Sequence, residues 1–180
     1  MKAKRMAPVL LVLMATLLTG CFGGGGGSIP VSRSEIDAFF ALYAHRAEAK
    51  DLNALLSMYQ VPVTFTFEEI SLKIAADDRS ALSDMLGPRI YLSDIADYVN
   101  DYELDVKTIV KSVSGSSSSA VAEVVLEIEA YDGLFTHPDK YEIKFTLQKS
   151  SGVWRIRAEH IVKAVYEDPI QDPIDPPPIR

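Results

Sequence analysis

The sequence predicts an α+β domain in which N-terminal helices precede an antiparallel sheet of about four to five strands. Two patterns carry that expectation. Apolar residues between positions 33 and 59 recur at helical spacing, whereas residues 104 to 165 alternate with the period of strands between serine- and glycine-rich turns. A stretch of roughly 33–167 is the right length for one domain.

Taken in order, Ser34 is a candidate cap for a first helix, and Ile36, Phe39, Phe40, Tyr43 and Ala47 form its apolar face. Asp51 is placed to cap a second, short helix carrying Leu52, Leu55, Leu56 and Tyr59, stopped by Pro62. Val63-Thr64-Phe65-Thr66-Phe67 alternates as a strand. Residues 75–86 read as a helix ending at Gly87-Pro88, and Ser93 as the cap of another running to Tyr102. A four-strand meander follows. Leu104–Val113 is its first strand and Ser114–Ser119 a turn. Val121–Tyr131 is the second strand, and His137-Pro138-Asp139 a loop. In the third strand Tyr141, Ile143, Phe145 and Leu147 share one face. After a tight turn at Lys149–Gly152 the last strand runs from Val153 to about Val165. Unbroken alternation puts Trp154, Ile156, Ala158 and His160 together on its face.

Three segments of this plan resemble the nuclear transport factor 2-like, or cystatin-like cone, superfamily. They are the helix ending in Tyr43-Ala44-His45-Arg46, the run Lys50-Asp51-Leu52-Asn53-Ala54-Leu55-Leu56-Ser57-Met58-Tyr59, and the closing Gly152-Val153-Trp154-Arg155-Ile156. The resemblance implies a curved sheet wrapped round a long helix, with a pocket open at one end, over most of residues 33–166. The superfamily includes ketosteroid isomerases, dehydratases and polyketide cyclases, so it also implies where their chemistry would fall. The isomerase tyrosine falls on Tyr43. The base falls on Phe67, which moves no proton, and adjacent Glu68 belongs to the other strand face. The third position falls at about Lys144, which is not a carboxylic acid. No catalytic residue is therefore assigned. Tyr43 and His160 are the possible pocket residues, each also readable as a hydrogen-bonded core or rim side chain.

The N-terminus carries an address. Lys2, Lys4 and Arg5 precede an apolar run from Met6 to Leu18, which has the form of an export signal. The run is short of the roughly 20 residues a spanning helix needs. Leu18-Thr19-Gly20-Cys21 matches the bacterial lipoprotein pattern at all four positions. That resemblance implies cleavage between Gly20 and Cys21 and acylation of Cys21, so residues 1–20 are signal peptide. A plain signal peptide that leaves a free cysteine is the rival. Residues 21–32 then form a glycine-rich tether, and 168–180, with five prolines in thirteen residues, a proline-rich disordered tail. The expected location is the exported side of a cell membrane. Phe22, in place of an aspartate, favours the periplasmic face of an outer membrane if the host has one.

Composition excludes some partners. Removing Lys2, Lys4 and Arg5 leaves 15 basic residues against 25 acidic ones, a net charge of −10. That sign argues against nucleic acid and against a polybasic grip on lipid. With Cys21 acylated, the chain keeps no thiol for redox or nucleophilic work. His45, His137 and His160 are not spaced as metal ligands. Asp94, Asp97 and Asp101 share a helical face, yet no glycine-containing calcium loop accompanies them, so no metal or cofactor is assigned. The expected function is a noncatalytic, membrane-anchored domain binding a small apolar ligand or an envelope protein. A scaffold with a filled cone and an enzyme acting in the cone pocket are the alternatives.

Overall fold

The computed structural model describes residues 29–89, 102–131, 133, 135–168 and 170–171. The predicted helix over 93–102 lies outside the described residues except for Tyr102, as do Asp94, Asp97 and Asp101, the signal segment and Cys21.

Helix α1 (Arg33–Glu48) begins two residues earlier than a cap at Ser34 implied. Its cap is Ser32, whose hydroxyl accepts from the Glu35 N–H. The face built by Ile36, Phe40, Tyr43, Ala44 and Ala47 is buried. Helix α2 (Leu52–Leu56) is capped by Asp51, whose carboxylate accepts from the Ala54 N–H at 2.9 Å. It ends before Tyr59, which instead opens strand β1 (Tyr59–Phe67). The strand continues through Pro62, which follows a cis peptide bond. Pairing with the neighbouring strand is irregular between Tyr59 and Thr64, the stretch where the missing proline N–H costs no ladder bond.

Strand β2 (Leu72–Ala76) takes Ala75 and Ala76 from the start of the helix expected over 75–86. Helix α3 (Arg79–Arg89) follows, with the Asp78 carboxylate accepting from the Ala81 N–H. It runs past Gly87-Pro88 to Arg89, because a proline in the last turn removes only one helical hydrogen bond. Then come β3 (Glu103–Gly115), β4 (Ser119–Tyr131), β5 (Phe135–Ser150), β6 (Val153–Tyr166) and a two-residue β7 (Ile170–Gln171).

The sheet is curved and mixed rather than wholly antiparallel, and it has more strands than expected. Its order is β2-β1-β6-β5-β4-β3; β7 pairs with β5, and β1 runs parallel to β6. The expected loop at His137-Pro138-Asp139 is strand, with Pro138 opposite Glu129. The Pro138 carbonyl accepts from Glu167 N–H, so the side that lacks an N–H faces the break between β6 and β7, where the ladder is interrupted. Ile170 and Gln171, within the expected free tail, pair with Thr136 and Phe135.

Two bulges give β6 its particular set of inward residues. Opposite β5, Leu147 pairs with Ile156 and Thr146 with Ala158, so Arg157 is the extra residue. Ile143 then pairs with Ile161 and Glu142 with Lys163, making Val162 the second. The inward set is therefore Trp154, Ile156, Glu159, Ile161, Ala164 and Tyr166. The expectation for Ala158 and His160 is corrected, because one inserted residue reverses every face beyond it.

The end of the tether is also ordered. The Ile29 carbonyl accepts from Ser117 N–H at 2.7 Å, and Pro30 bridges to Ser116. This docks residues 29–31 on the β3–β4 turn. Gly115 takes φ 123° there, and a Cβ would stand 2.3 Å from the Ser119 carbonyl oxygen.

Candidate ligand cavity and its polar floor

Four elements each send one polar side chain into the core. The first bulge of β6 turns in Glu159, which is 1% exposed. Helix α3 ends in Arg89, β1 opens with Tyr59, and the middle of α1 supplies Tyr43. Arg89 forms an ion pair with Glu159. Its Nη2 also donates to Glu159 Oε1 at 3.3 Å and to the Tyr43 hydroxyl at 3.2 Å. Tyr59 donates its proton to Glu159 Oε1. The Tyr43 and Tyr59 hydroxyl oxygens are 3.2 Å apart. Since Tyr59 has one proton and spends it on the carboxylate, the proton between the tyrosines belongs to Tyr43. The contacts thus close a ring: Arg89 to Tyr43, Tyr43 to Tyr59, Tyr59 to Glu159, and Glu159 back to Arg89.

The ring fixes protonation states. Burial, reinforced by the Glu159 charge, holds the Tyr59 hydroxyl well above the usual tyrosine range. Burial also raises Tyr43, although the Arg89 charge opposes it. Burial works against the Arg89 cation, but Glu159 and the two tyrosines outweigh it and raise Arg89 well above its ordinary value. At neutral pH both tyrosines are protonated and Arg89 is charged.

Beside this cluster lies a cavity of about 560 Å³. Phe65, Phe67, Ile70, Leu72, Ile74, Met85, Pro88, Ile161 and Ala164 give it apolar walls, and Asp84, Asp139, Tyr141 and Tyr166 add polar groups. Of the four-residue ring only Arg89 belongs to the wall; Glu159, Tyr59 and Tyr43 sit behind it. Burial, followed by the charge of Asp139, raises the Tyr141 hydroxyl far above its usual range.

The two expected pocket residues separate. Tyr43 is fully buried within the ring, behind the cavity wall. His160 is corrected to the outer face, where its Nε2 lies 2.9 Å from Glu68 Oε2. Phe67 lines the cavity as an apolar wall, and Lys144 is on the outer face against Glu123. Arg89 and Glu159 were not singled out from sequence. Glu159 shares its strand with Arg155, Arg157, His160 and Lys163, and a bulge hid which of the five faces inward.

No family model matches the chain, and no curated protein matches it. Solved structures do. An NTF-2-like protein of unknown function from Shewanella oneidensis MR-1 is similar with TM-score 0.54 and 11% identity, covering 72% of this chain and 98% of that one. A cystatin-like-fold protein of unknown function from Nostoc punctiforme PCC 73102 gives 0.53 at 13% identity, over 73% and 92% of the two chains. A ketosteroid isomerase-like protein from Erwinia carotovora atroseptica SCRI1043 gives 0.50 at 17%, over 72% and 93%. The fold is the cystatin-like, nuclear transport factor 2-like cone. At these identities the likeness is one of fold alone.

Proposed function

We propose that this chain is a membrane-anchored bacterial lipoprotein whose cone holds a small apolar ligand without transforming it. The observation that carries the binding reading is the cavity: about 560 Å³, walled mainly by aromatic and aliphatic side chains. A scaffold with a filled cone would have no such space. An enzyme acting here would have to use Asp84 or Asp139, the carboxylates that line the cavity. Here the buried carboxylate stands behind the wall, and its ion pair and hydrogen bonds are already made within the ring. The anchor rests on Leu18-Thr19-Gly20-Cys21, which also supports location on the exported side of a membrane.

Each half has its own test. N-phenyl-1-naphthylamine, an uncharged fluorophore that brightens in apolar sites, is expected to bind at one site per chain. Ala164→Trp, which fills the cavity from its wall, is expected to weaken that binding at least tenfold with little loss of Tm. Fluorescence unaffected by Ala164→Trp sinks the cavity reading. Cys21→Ser is expected to move the protein from the membrane to the soluble fraction, and retention in the membrane sinks the anchor.

A further inference from the structure

The mouth of the cavity is more apolar than a free surface requires. Phe65 and Ile161 of the inner wall are buried, whereas three residues of the same lining stand out in water. Ile70 is 67% exposed, Tyr166 70% and Leu72 41%. Ile70 and Tyr166 also share a smaller cleft of about 160 Å³ with Glu68 and Glu69, so they are neighbours on one rim and not isolated surface residues. The β1–β2 turn carries Ile70 there, closed by the Ser71 N–H donating to the Glu68 carbonyl at 3.1 Å. Turns favour glycine, asparagine, aspartate and serine, so nothing in the local backbone calls for isoleucine. Tyr166 is held edge-on against Tyr141, with ring centroids 5.9 Å apart. Apolar groups gathered on a rim with polar borders mark an interaction site.

The charges beside the rim favour one kind of partner. Glu69, in the turn, and Asp84, exposed on α3, have no ion pair among the described residues. Glu68 is shared with His160. Arg89 is the one basic residue among the described residues lining either cleft, and Glu159 matches its charge. This border would repel an anionic lipid surface. A second copy docked rim to rim would set the same acidic groups against each other. A cationic protein segment meets neither obstacle.

We propose that the cavity mouth docks a basic, apolar segment of another protein. Its apolar side chains would rest on Ile70, Leu72 and Tyr166, and its lysines or arginines would lie beside Glu69 and Asp84. Such docking does not require that the cavity hold a ligand.

The test uses the mature chain carrying Cys21→Ser and two fluorescein-labelled amphipathic peptides, read by anisotropy at physiological salt. One peptide is built of leucine and lysine, and its twin has glutamate for every lysine. The lysine peptide is expected to bind at one site per chain, at least tenfold more tightly than its twin. Ile70→Ser with Tyr166→Ser is expected to weaken that binding at least tenfold. Glu69→Lys with Asp84→Lys is expected to weaken it as much, and it tests the proposal even if Tyr166→Ser destabilises the fold. Glu103→Lys with Glu129→Lys makes the same charge change on the outer face of the sheet and is expected to leave affinity within twofold. Ala164→Trp, which fills the cavity behind the rim, is also expected to leave it within twofold. Absence of lysine-peptide binding, equal binding of the twin, or equal losses from the two charge reversals overturns the proposal. Loss of peptide binding in Ala164→Trp overturns it too, since the peptide would then sit inside the cavity. Binding to neutral phosphatidylcholine vesicles in place of the peptide, abolished by Ile70→Ser with Tyr166→Ser, would make the occupant a lipid surface and overturn it. N-phenyl-1-naphthylamine binding, measured separately, decides the ligand reading.

Discussion

Glu159 and His160 are neighbours on one strand, and each makes an acid–base contact, yet the two contacts belong to different physical regimes. Glu159 points inward, is 1% exposed, and meets Arg89 and Tyr59 away from water. His160 points outward toward Glu68, with side chains 43% and 59% exposed. In water the attraction between opposite charges is screened and the median surface pair contributes little. In the core the same attraction is strong, and so is the cost of stripping hydration from each partner. The inner pair is therefore expensive to break and cheap to replace as a unit, whereas the outer pair is nearly optional. What decides between them is a single extra residue, Arg157, which sets which of two consecutive side chains faces the core.

The largest expected effect comes from breaking the inner pair on one side. Glu159→Leu or Arg89→Met alone leaves an uncompensated buried charge and should cost roughly 3–5 kcal/mol. The double variant should recover much of that loss. A double-mutant cycle by chemical denaturation measures the coupling, and additive losses would mean the pair is not an energetic unit.

Next comes Tyr59→Phe. It removes a hydrogen bond to a charged acceptor and strands the Tyr43 proton, for about 1.5–3 kcal/mol. The ring also predicts an alkaline limit. The Tyr43 and Tyr59 values are raised in the folded state above the ordinary value of 10.0. Their contribution is therefore complete below pH 10 and is lost as pH rises further, because the unfolded chain ionises first. Tm should decline above pH 10, and less steeply in Tyr59→Phe. A parallel decline in both proteins would assign the effect elsewhere.

The smallest effect is expected at the outer pair. His160→Ala should change stability by no more than about 0.5 kcal/mol, read by the same denaturation curves. A loss comparable with that of Glu159→Leu would erase the distinction between the two faces.

The parts of the fold that could be read in the chain are those in which local pattern and tertiary role agree. The apolar stripe of α1, the Asp51 cap and the alternation of β4 and β5 all belong to this kind, because each repeats one rule over several turns or pairs. Strand β2 was hidden because Leu72–Ala76 is only five residues long: Leu72, Ile74 and Ala76 share its inner face, too few repeats to stand out beside the helix expected from residue 75. The parallel pairing of β1 with β6 joins residues about a hundred positions apart and leaves no local trace. At the site, the burial of Tyr43 followed from helix periodicity. Its company did not: Arg89 comes from a helix expected to end at Gly87-Pro88, and Glu159 from a strand whose bulges break the count.

The docking of Ile29, Pro30 and Val31 on the β3–β4 turn has a mechanical meaning. Under the proposed acylation of Cys21, only seven residues separate the lipid from the docked segment, at most about 28 Å of chain. The cavity is at the opposite end of the sheet, where Asp139 and Tyr141 face Tyr166 and Ala164. From Gln148, beside the docked turn, to Asp139 is nine residues of β5, about 30 Å. The domain would then stand on the bilayer like a cup on its base, with its opening turned to the aqueous compartment. In that arrangement a ligand would enter and leave from that compartment, not from the membrane beneath it.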